Sequence, residues 1–576
     1  MEFLSERYYT FRSMPQKKKT AHRPLPTSHT RARSCDRQEY RDVIIKKTLM
    51  TRTLTKHGFA AVLLFACTVC GLAAPAPKKP KLVLLVVVDQ FRYDYLLRFR
   101  NDYTAGLKRL LDQGAVFDDA HYIHYTTMTA QGHSTLLSGA PPSLSGIIQD
   151  TWYERGPGKT VTSVSDDDTK LVGGSAAIGS SPRRLTVSTL GDEIKMQGQQ
   201  VKVIGISTKD RGSVLTAGHM ADSAYWFDAP SGHWVTSTYY MNELPPWVAE
   251  VNASKPTARA ENTSWMPLNA RPGDKPFCTT VKSDASQRYC GAFERTPWGN
   301  EMIEELAERA LTAEKLGHHD GTDVFSVSFS SNDYIGHDLG PDSPEVRDIS
   351  IRTDRLIGKL LDQVDKQVGL SNTIVVFSAD HGVSPSPEVQ QQRKMPGGRT
   401  SPAELTDALE RVLGEKYGPG KWVLYNDSYG QIYLNREVAA KYKVTVDEVS
   451  RTAVELARTV PHVFRAYTAE EIRNGRGAGD PVTMAVAYGY YGSRSGDLFV
   501  LYEPYYVGGT SKAGSTHSTA FDYDNHVPVI FLGTGIKPGH YFGKIAVNDV
   551  APTLAAIAGV ETPSGSIGRV LQEMWQ

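Results

Sequence analysis

Ile374-Val375-Val376-Phe377-Ser378-Ala379-Asp380-His381 is an apolar, β-branched run that ends in a carboxylate and an imidazole. A short run of this composition reads as a strand buried on both faces. The arrangement occurs twice more: Val86-Val87-Val88 ends in Asp89, and Phe325-Ser326-Val327-Ser328-Phe329 leads to Asp333. In a parallel sheet such runs all end at one edge, so carboxylates and imidazoles far apart in the chain converge there. That convergence suggests a metal site, and a metal site with open positions points to an enzyme.

Outward from these runs, strands and helices alternate. Residues 81–88 form the first strand, followed by a helix expected over 96–111 and a second ending near Ser138-Gly139, before Pro141-Pro142. Residues 201–207 read as another buried strand, and 225–240 as an aromatic hairpin turning at 228–232. The stretch 251–297 is irregular. A helix over 302–316 leads to the strand at Asp323, and Ser343-Pro344 caps a further helix with Val346, Ile349, Leu356, Leu360 and Val364 on one stripe. The alternation predicts an α/β fold with a doubly wound sheet.

From residue 383 to 510 the pattern changes to an inserted α+β lobe. Capping boxes start at Ser401 and Thr445, a hairpin crosses 427–430, and a strand covers 498–502. The core resumes over 511–576, with a strand at 527–532 and a last helix at 549–558.

A chain of 576 residues is long enough for one large domain with insertions or for two or three domains. Its formal charge of +1 provides no global field for nucleic acid, so any anion affinity must be local. Residues 1–49 are basic and lack apolar period, as a disordered tail does, and Met50 is a plausible alternative start. Residues 50–76 read as a secretory signal peptide, too short in its apolar part for a membrane span. Cys67 and Cys70 lie within it, neither in a good lipidation motif. Beyond it only Cys278 and Cys290 remain, close enough in sequence to close a small disulfide loop. The mature chain is therefore expected to be periplasmic or secreted, without a transmembrane anchor.

Four pieces carry the chemistry: Asp89; Asp333 with His337; Asp380 with His381; and His517 in Gly514-Ser515-Thr516-His517. Each alone has an ordinary structural reading. Together they offer three carboxylates and three imidazoles, enough for two borderline-soft divalent ions with open positions. Thr129 in Thr129-Ala130-Gln131-Gly132-His133 reads at first as a helix cap. The same place puts a hydroxyl at the positive end of a helix dipole, where an anion docks and an adjacent metal would lower the hydroxyl's pKa.

With these residues in view, the chain resembles the alkaline phosphatase superfamily. Within it, the similarity is to secreted phosphatases with a threonine nucleophile, of the flavobacterial and sphingomonad type, neighbours of the nucleotide pyrophosphatase/phosphodiesterases. The resemblance runs from about residue 81 to the C-terminus. It is carried by Val88-Asp89-Gln90-Phe91-Arg92-Tyr93-Asp94, residues 129–133 with Ser138-Gly139, Gly146-Ile147-Ile148, Lys209-Asp210-Arg211, Asn332-Asp333-Tyr334-Ile335-Gly336-His337, Ser378-Ala379-Asp380-His381-Gly382 and residues 514–517. It implies an alkaline-phosphatase-like doubly wound, mostly parallel sheet with helices on both faces and an inserted α+β lobe. It also implies two zinc ions, one on Asp333, His337 and His517, the other on Asp89, Asp380 and His381 with Thr129 as reactive ligand. Lys209 and Arg211 match the pair that contacts phosphoryl oxygens in the monoesterase branch. The implied reaction is hydrolysis of small phosphate monoesters through a phosphothreonine, by a chain expected to be a monomer.

One departure stands out. Relatives carry Asn between Gly146-Ile147-Ile148 and Trp152, where its amide donates to a phosphoryl oxygen; here the position is Asp150, preceded by Gln149. The carboxyl can be protonated, turned onto Lys209 or Arg211, or replaced in its role by Gln149. Two other functions compete with the monoesterase. A phosphodiesterase or nucleotide pyrophosphatase on the same scaffold needs less positive charge than Lys209 and Arg211 supply, and the 225–240 hairpin is the candidate room for its second ester group. A metal-stabilised binding protein would keep the ligands without turnover. A sulfatase is disfavoured, because no Cys or Ser with the required Pro and Arg neighbours stands at the nucleophile position.

Overall fold

Strands with apolar side chains on both faces are stable only inside a covered sheet. All seven side chains of β1 (Leu82–Val88) are fully buried, each such Leu or Val contributing about 1.5–3 kcal/mol of transfer free energy. In this computed structural model, which describes residues 79–280, 290–427, 429–475, 479–509 and 514–575, β1 lies inside a ten-stranded sheet. The other strands are β2 (Ala115–Phe117), β3 (Leu171–Val172), β4 (Val203–Ser207), β5 (Ser223–Asp228), β6 (His233–Ser237), β7 (Asp323–Phe329), β8 (Thr373–Ser378), β9 (Val529–Gly533) and β10 (Gly539–Tyr541). Their spatial order is β10-β2-β9-β8-β1-β7-β4-β5-β6-β3. The basic tail and signal peptide expected over 1–76 lie outside the described residues.

β8, β1, β7, β4 and β5 run parallel. Val87 stands opposite both Ser328 and Ser378, and Ser328 opposite Ser207, so these strands end level with one another. β9 runs antiparallel to β8, with Val529 opposite Ser378. The chain therefore reaches that same edge just before β9 begins. A residue that precedes β9 can meet residues that follow the parallel strands.

Helices α1 (Thr129–Ser138), α2 (Asp210–Ala217), α3 (Pro297–Ala313), α4 (Ser331–Leu339), α5 (Pro344–Gln367) and α6 (Val550–Ala558) belong to the layers on the two faces. The doubly wound, mostly parallel α/β architecture expected above is the one that forms. Ser343 caps α5 by accepting from the Val346 N–H, with Pro344 in the first turn. Gly139, at φ +66°, ends α1 in the left-handed conformation that glycine adopts without strain.

The helix expected over 96–111 is instead two, Tyr93–Arg98 and Gly106–Gln113. A tertiary partner makes the break: the Asp354 carboxylate, on α5, accepts from the Thr104, Ala105 and Leu107 N–H groups at 2.7–3.0 Å. It satisfies the free amides of the second helix in place of a continuing turn.

Between β8 and β9 a separate antiparallel sheet forms from Val423–Asn426, Gln431–Leu434, Leu498–Tyr502 and Val463–Thr468. Helices Pro402–Tyr417 and Val446–Ala457 pack on it around Leu409, Trp422 and Val454. Ser401 and Thr445 accept from the Glu404 and Glu448 N–H groups, but both glutamates stay in solvent, so only half of each expected capping box forms. Tyr225, Phe227 and Trp234 of the β5–β6 hairpin are buried in the main core rather than facing a substrate. Cys278 and Cys290 are joined as a disulfide, their Cα atoms 6.2 Å apart. Among the described residues no helix is long and apolar enough to cross a membrane.

Candidate active site

The level strand ends place four charged groups together. Asp89 follows β1 directly, Lys209 lies two residues past β4, Asp333 four past β7 in the first turn of α4, and Asp380 two past β8. His517 enters from the segment before β9, as the antiparallel topology requires. Thr129 opens α1, and all of these side chains are buried.

His337 Nε2 lies 3.2 Å and His517 Nε2 3.8 Å from Asp333 Oδ1. His381 Nε2 lies 3.5 Å from Asp89 Oδ1, 3.4 Å from Asp380 Oδ2 and 3.5 Å from Thr129 Oγ1. Two donor groups result, Asp333–His337–His517 and Asp89–Asp333–His381, each with its ligand atoms within 4.8 Å of one another. Asp333 belongs to both, a sharing that spacing along the chain does not reveal.

Backbone carbonyls fix all three imidazoles. The Nδ1 atoms of His337, His381 and His517 lie 3.0, 2.9 and 2.7 Å from the carbonyl oxygens of Ser515, Gly382 and Thr127. Each Nδ1–H donates outward, so each Nε2 turns its lone pair into the site, the orientation of a metal-ligating histidine. Asp89 Oδ1 is buried with no hydrogen-bond donor. Asp89 has only the Lys209 ammonium, an ion pair of 2.6 Å. Buried carboxylates, one oxygen of Asp89 without a donor, and inward-facing imidazole nitrogens are a donor set that fits divalent cations.

Burial, then the Asp333 and Asp380 charges, push the Asp89 carboxyl well above its ordinary range. Burial acts the same way on Asp333 and Asp380, but the groups that face them outweigh it. His337 and Lys209 hold Asp333 down, and His381 and His133 hold Asp380 down. Burial opposes the Lys209 charge, yet Asp333 and Asp89 raise it above the usual lysine value. Burial keeps His381 and His517 below the ordinary imidazole value, which leaves them neutral and able to ligate.

Lys209 Nζ also lies 3.4 Å from Thr129 Oγ1. Arg211 shares a cavity of about 620 Å³ with Thr129, Lys209, Asp333 and His517. Asp150 lies in the same cavity and is turned onto Arg211, its Oδ2 2.9 Å from Nε, while its Oδ1 accepts the Ala130 N–H at 2.8 Å. Gln149 does not take its place: its side chain is buried and donates to Asp427, from the hairpin between β8 and β9.

Two positioning residues were passed over by the sequence reading. Gln90 donates from Nε2 to Asp333 Oδ1 at 2.6 Å and from its backbone N–H to Asp380 Oδ1 at 3.1 Å. It does so at φ +61°, a conformation uncommon for a side-chain-bearing residue and concentrated at functional sites. His133 Nδ1 stands 3.3 Å from Asp380 Oδ2 and 2.8 Å from the Thr129 carbonyl, tying α1 to the end of β8. Their quoted motifs held the only clue.

The chain is similar to "Alkaline phosphatase PafA" of Elizabethkingia meningoseptica, 34% identical over 87% of this chain and 95% of that protein. It is equally similar to a Myroides odoratus protein named "Calcium-transporting ATPase", 34% identical over 87% of this chain and 96% of that one. "Alkaline phosphatase PhoV" of Synechococcus elongatus is 32% identical over 86% and 93%. The crystal structure of wild-type PafA matches at a TM-score of 0.80 and 32% identity, covering 87% of this chain and all of that one. A crystallised PafA variant, equally similar, has a threonine, an asparagine, a lysine and an arginine replaced, the first two 21 residues apart and the last two separated by 2.

The fold, with its ligands crowded at one sheet edge, is that of a phosphoric-ester hydrolase of the alkaline phosphatase type. More particularly, the chain belongs to the type I phosphodiesterase / nucleotide pyrophosphatase family, whose sequence pattern matches residues 83–524.

Proposed function

We propose that this chain hydrolyses small-molecule phosphate monoesters through a phosphothreonine at Thr129, using two zinc ions. The first is held by Asp333, His337 and His517, the second by Asp89, Asp380 and His381 with Thr129. The catalytic core spans 81–382 and 511–576, with 383–510 inserted, and residues 50–76 direct export of a monomeric chain to the periplasm or beyond. The observation that carries the reading is the meeting of Thr129, Lys209 and Arg211 in one cavity beside the metal donors. The replaced residues of the PafA variant support it: Thr129 and Asp150 are also 21 apart, and Lys209 and Arg211 also differ by 2.

Bound zinc would act as a Lewis acid, favouring the alkoxide form of the hydroxyl and offsetting charge on the leaving oxygen. Thr129 Oγ1 gives up its proton to solvent and bonds to phosphorus in line, while the ester P–O bond breaks and the alcohol leaves with a proton from water. Water then adds to phosphorus and gives up a proton, the bond to Thr129 breaks and its oxygen takes a proton back, and inorganic phosphate departs. Lys209 and Arg211 hold the phosphoryl oxygens, the guanidinium as a planar fork and the ammonium as a point charge. Their two charges match a dianionic monoester better than a monoanionic diester. The diesterase reading draws on the family description and on Asp150, which reduces that match.

The test is mass spectrometry of protein quenched in acid during turnover of p-nitrophenyl phosphate. Phosphate on Thr129 is expected, together with loss of turnover in Thr129→Ala; full activity of that variant would remove the residue from the reaction.

A further inference from the structure

A second pair of histidines, outside the cavity, is oriented as the three in the site are. His121 and His526 face each other across an antiparallel bridge, their rings stacked with centroids 4.4 Å apart and planes at 14°. His381 and His517 are stacked in the same way, at 3.6 Å and 21°. His121 Nδ1 lies 2.9 Å from Asn525 Oδ1. That amide's orientation is set by its own Nδ2, which donates to the Ala520 carbonyl at 3.1 Å. Asn525 therefore presents an oxygen, and the proton sits on His121 Nδ1. The other nitrogen, Nε2, lies 2.6 Å from Asp119 Oδ1. A lone pair against a carboxylate oxygen is repulsive unless a cation lies against both.

His526 repeats the pattern. Its Nε2–H donates to the Asp118 carbonyl at 3.0 Å, which leaves Nδ1 unprotonated. One ligand atom each from Asp119, His121 and His526 lies within 4.8 Å of the others. Two imidazoles with one N–H on a fixed oxygen, converging with one carboxylate, match what holds zinc-class ions.

We propose that Asp119, His121 and His526 bind a further divalent ion of the zinc class, with water completing the shell. This site is separate from the catalytic donors and does not depend on the reaction assigned to them. His121 lies eight residues before Thr129 and His526 nine after His517. An ion here ties together the two segments that deliver the nucleophile and a catalytic ligand, so its role is structural.

The experiment is zinc content per chain by plasma mass spectrometry, on the full chain equilibrated with Zn2+ and freed of unbound metal. Wild type is compared with His121→Ala and with Asp119→Ala, whose side chain is 43% exposed and whose loss leaves the backbone pairing intact. Each variant is expected to hold one zinc fewer, to keep wild-type turnover of p-nitrophenyl phosphate, and to melt earlier than wild type in zinc but not after chelation. The same loss of one zinc is expected when Asp119→Ala is combined with Asp333→Ala, which separates this site from any failure at the catalytic donors. Equal zinc content in wild type and Asp119→Ala would overturn the proposal, leaving a proton as the cation between His121 and Asp119.

Discussion

Replacing Asp150 by Asn tests how this chain recognises phosphate. The carboxylate is paired with Arg211 at 2.9 Å and stands in the cavity that holds Thr129. At a separation of about 5 Å and an effective dielectric of about 20, one carboxylate opposes each phosphoryl charge by about 3 kcal/mol. Asp150 and Arg211 are 27% and 26% exposed, so solvent screening cuts this to about half. A monoester carries about one more negative charge than a diester. The remaining difference of about 1.4 kcal/mol therefore falls on the ratio of the two and corresponds to about tenfold.

Asn keeps an oxygen for the Ala130 N–H, now bonded at 2.8 Å, and releases the guanidinium for substrate. The assay is kcat/KM for p-nitrophenyl phosphate and for bis-p-nitrophenyl phosphate in wild type and Asp150→Asn. The monoester-to-diester ratio is expected to rise about tenfold, chiefly through the monoester. An unchanged ratio, or equal change in both substrates, would refute the charge argument and with it the role given to Arg211.

Asp524 is fully buried, its carboxyl pushed up to about 7 by desolvation, with one oxygen lacking any donor. Because the unfolded chain releases this proton first, stability falls as pH rises from about 4 to 7, by about 1.4 kcal/mol per pH unit and about 4 kcal/mol at most. Asp524→Asn is therefore expected to raise the melting temperature more at pH 8 than at pH 5, by calorimetry, and an equal gain at both would contradict the shift. At Gly132, an added Cβ would lie 2.1 Å from the Asp380 carbonyl oxygen and 2.6 Å from its Cα. Gly132→Ala must push α1 off the strand end that carries Asp380, with an expected cost of about 1–3 kcal/mol in urea unfolding and a loss of turnover. Wild-type values on both counts would show that the contact is dispensable.

The strand ends bearing Asp89, Asp333, Asp380 and His381 were legible because an apolar run fixes a buried strand and a parallel sheet fixes where it ends. His517 drew notice in its own motif, but the strand-end rule could not place it, since its strand runs the other way and the residue comes before it. The break between Tyr93–Arg98 and Gly106–Gln113 was hidden because the group that makes it, Asp354, lies 250 residues from Thr104. The turn of Asp150 onto Arg211 was one of three alternatives the sequence left open, because the choice is set by an N–H of α1 and a guanidinium of α2. Gln90 escaped because its role rests on a backbone conformation and two tertiary hydrogen bonds, neither of which leaves a mark on residue type.

The charge balance of the site would link metal and substrate recognition through one lysine. Asp89, Asp333 and Asp380 are buried together, and the ammonium of Lys209 sits 2.6 Å from two of them. One ammonium does not offset three carboxylates. The imbalance is visible in Asp89, pushed up by burial and by its two acidic neighbours, while Asp333 and Asp380 are held down by the imidazoles and the ammonium that face them. One divalent ion would close the deficit that Lys209 leaves open, and a second would leave a positive surplus for an anionic substrate. They would also take over the carboxylates that now engage the ammonium. Lys209, already 3.4 Å from the Thr129 hydroxyl, would then be free for the phosphoryl group. On this argument the lysine serves phosphate in proportion as the carboxylates are neutralised by something else, so phosphate affinity should fall along with metal occupancy even where Arg211 is untouched.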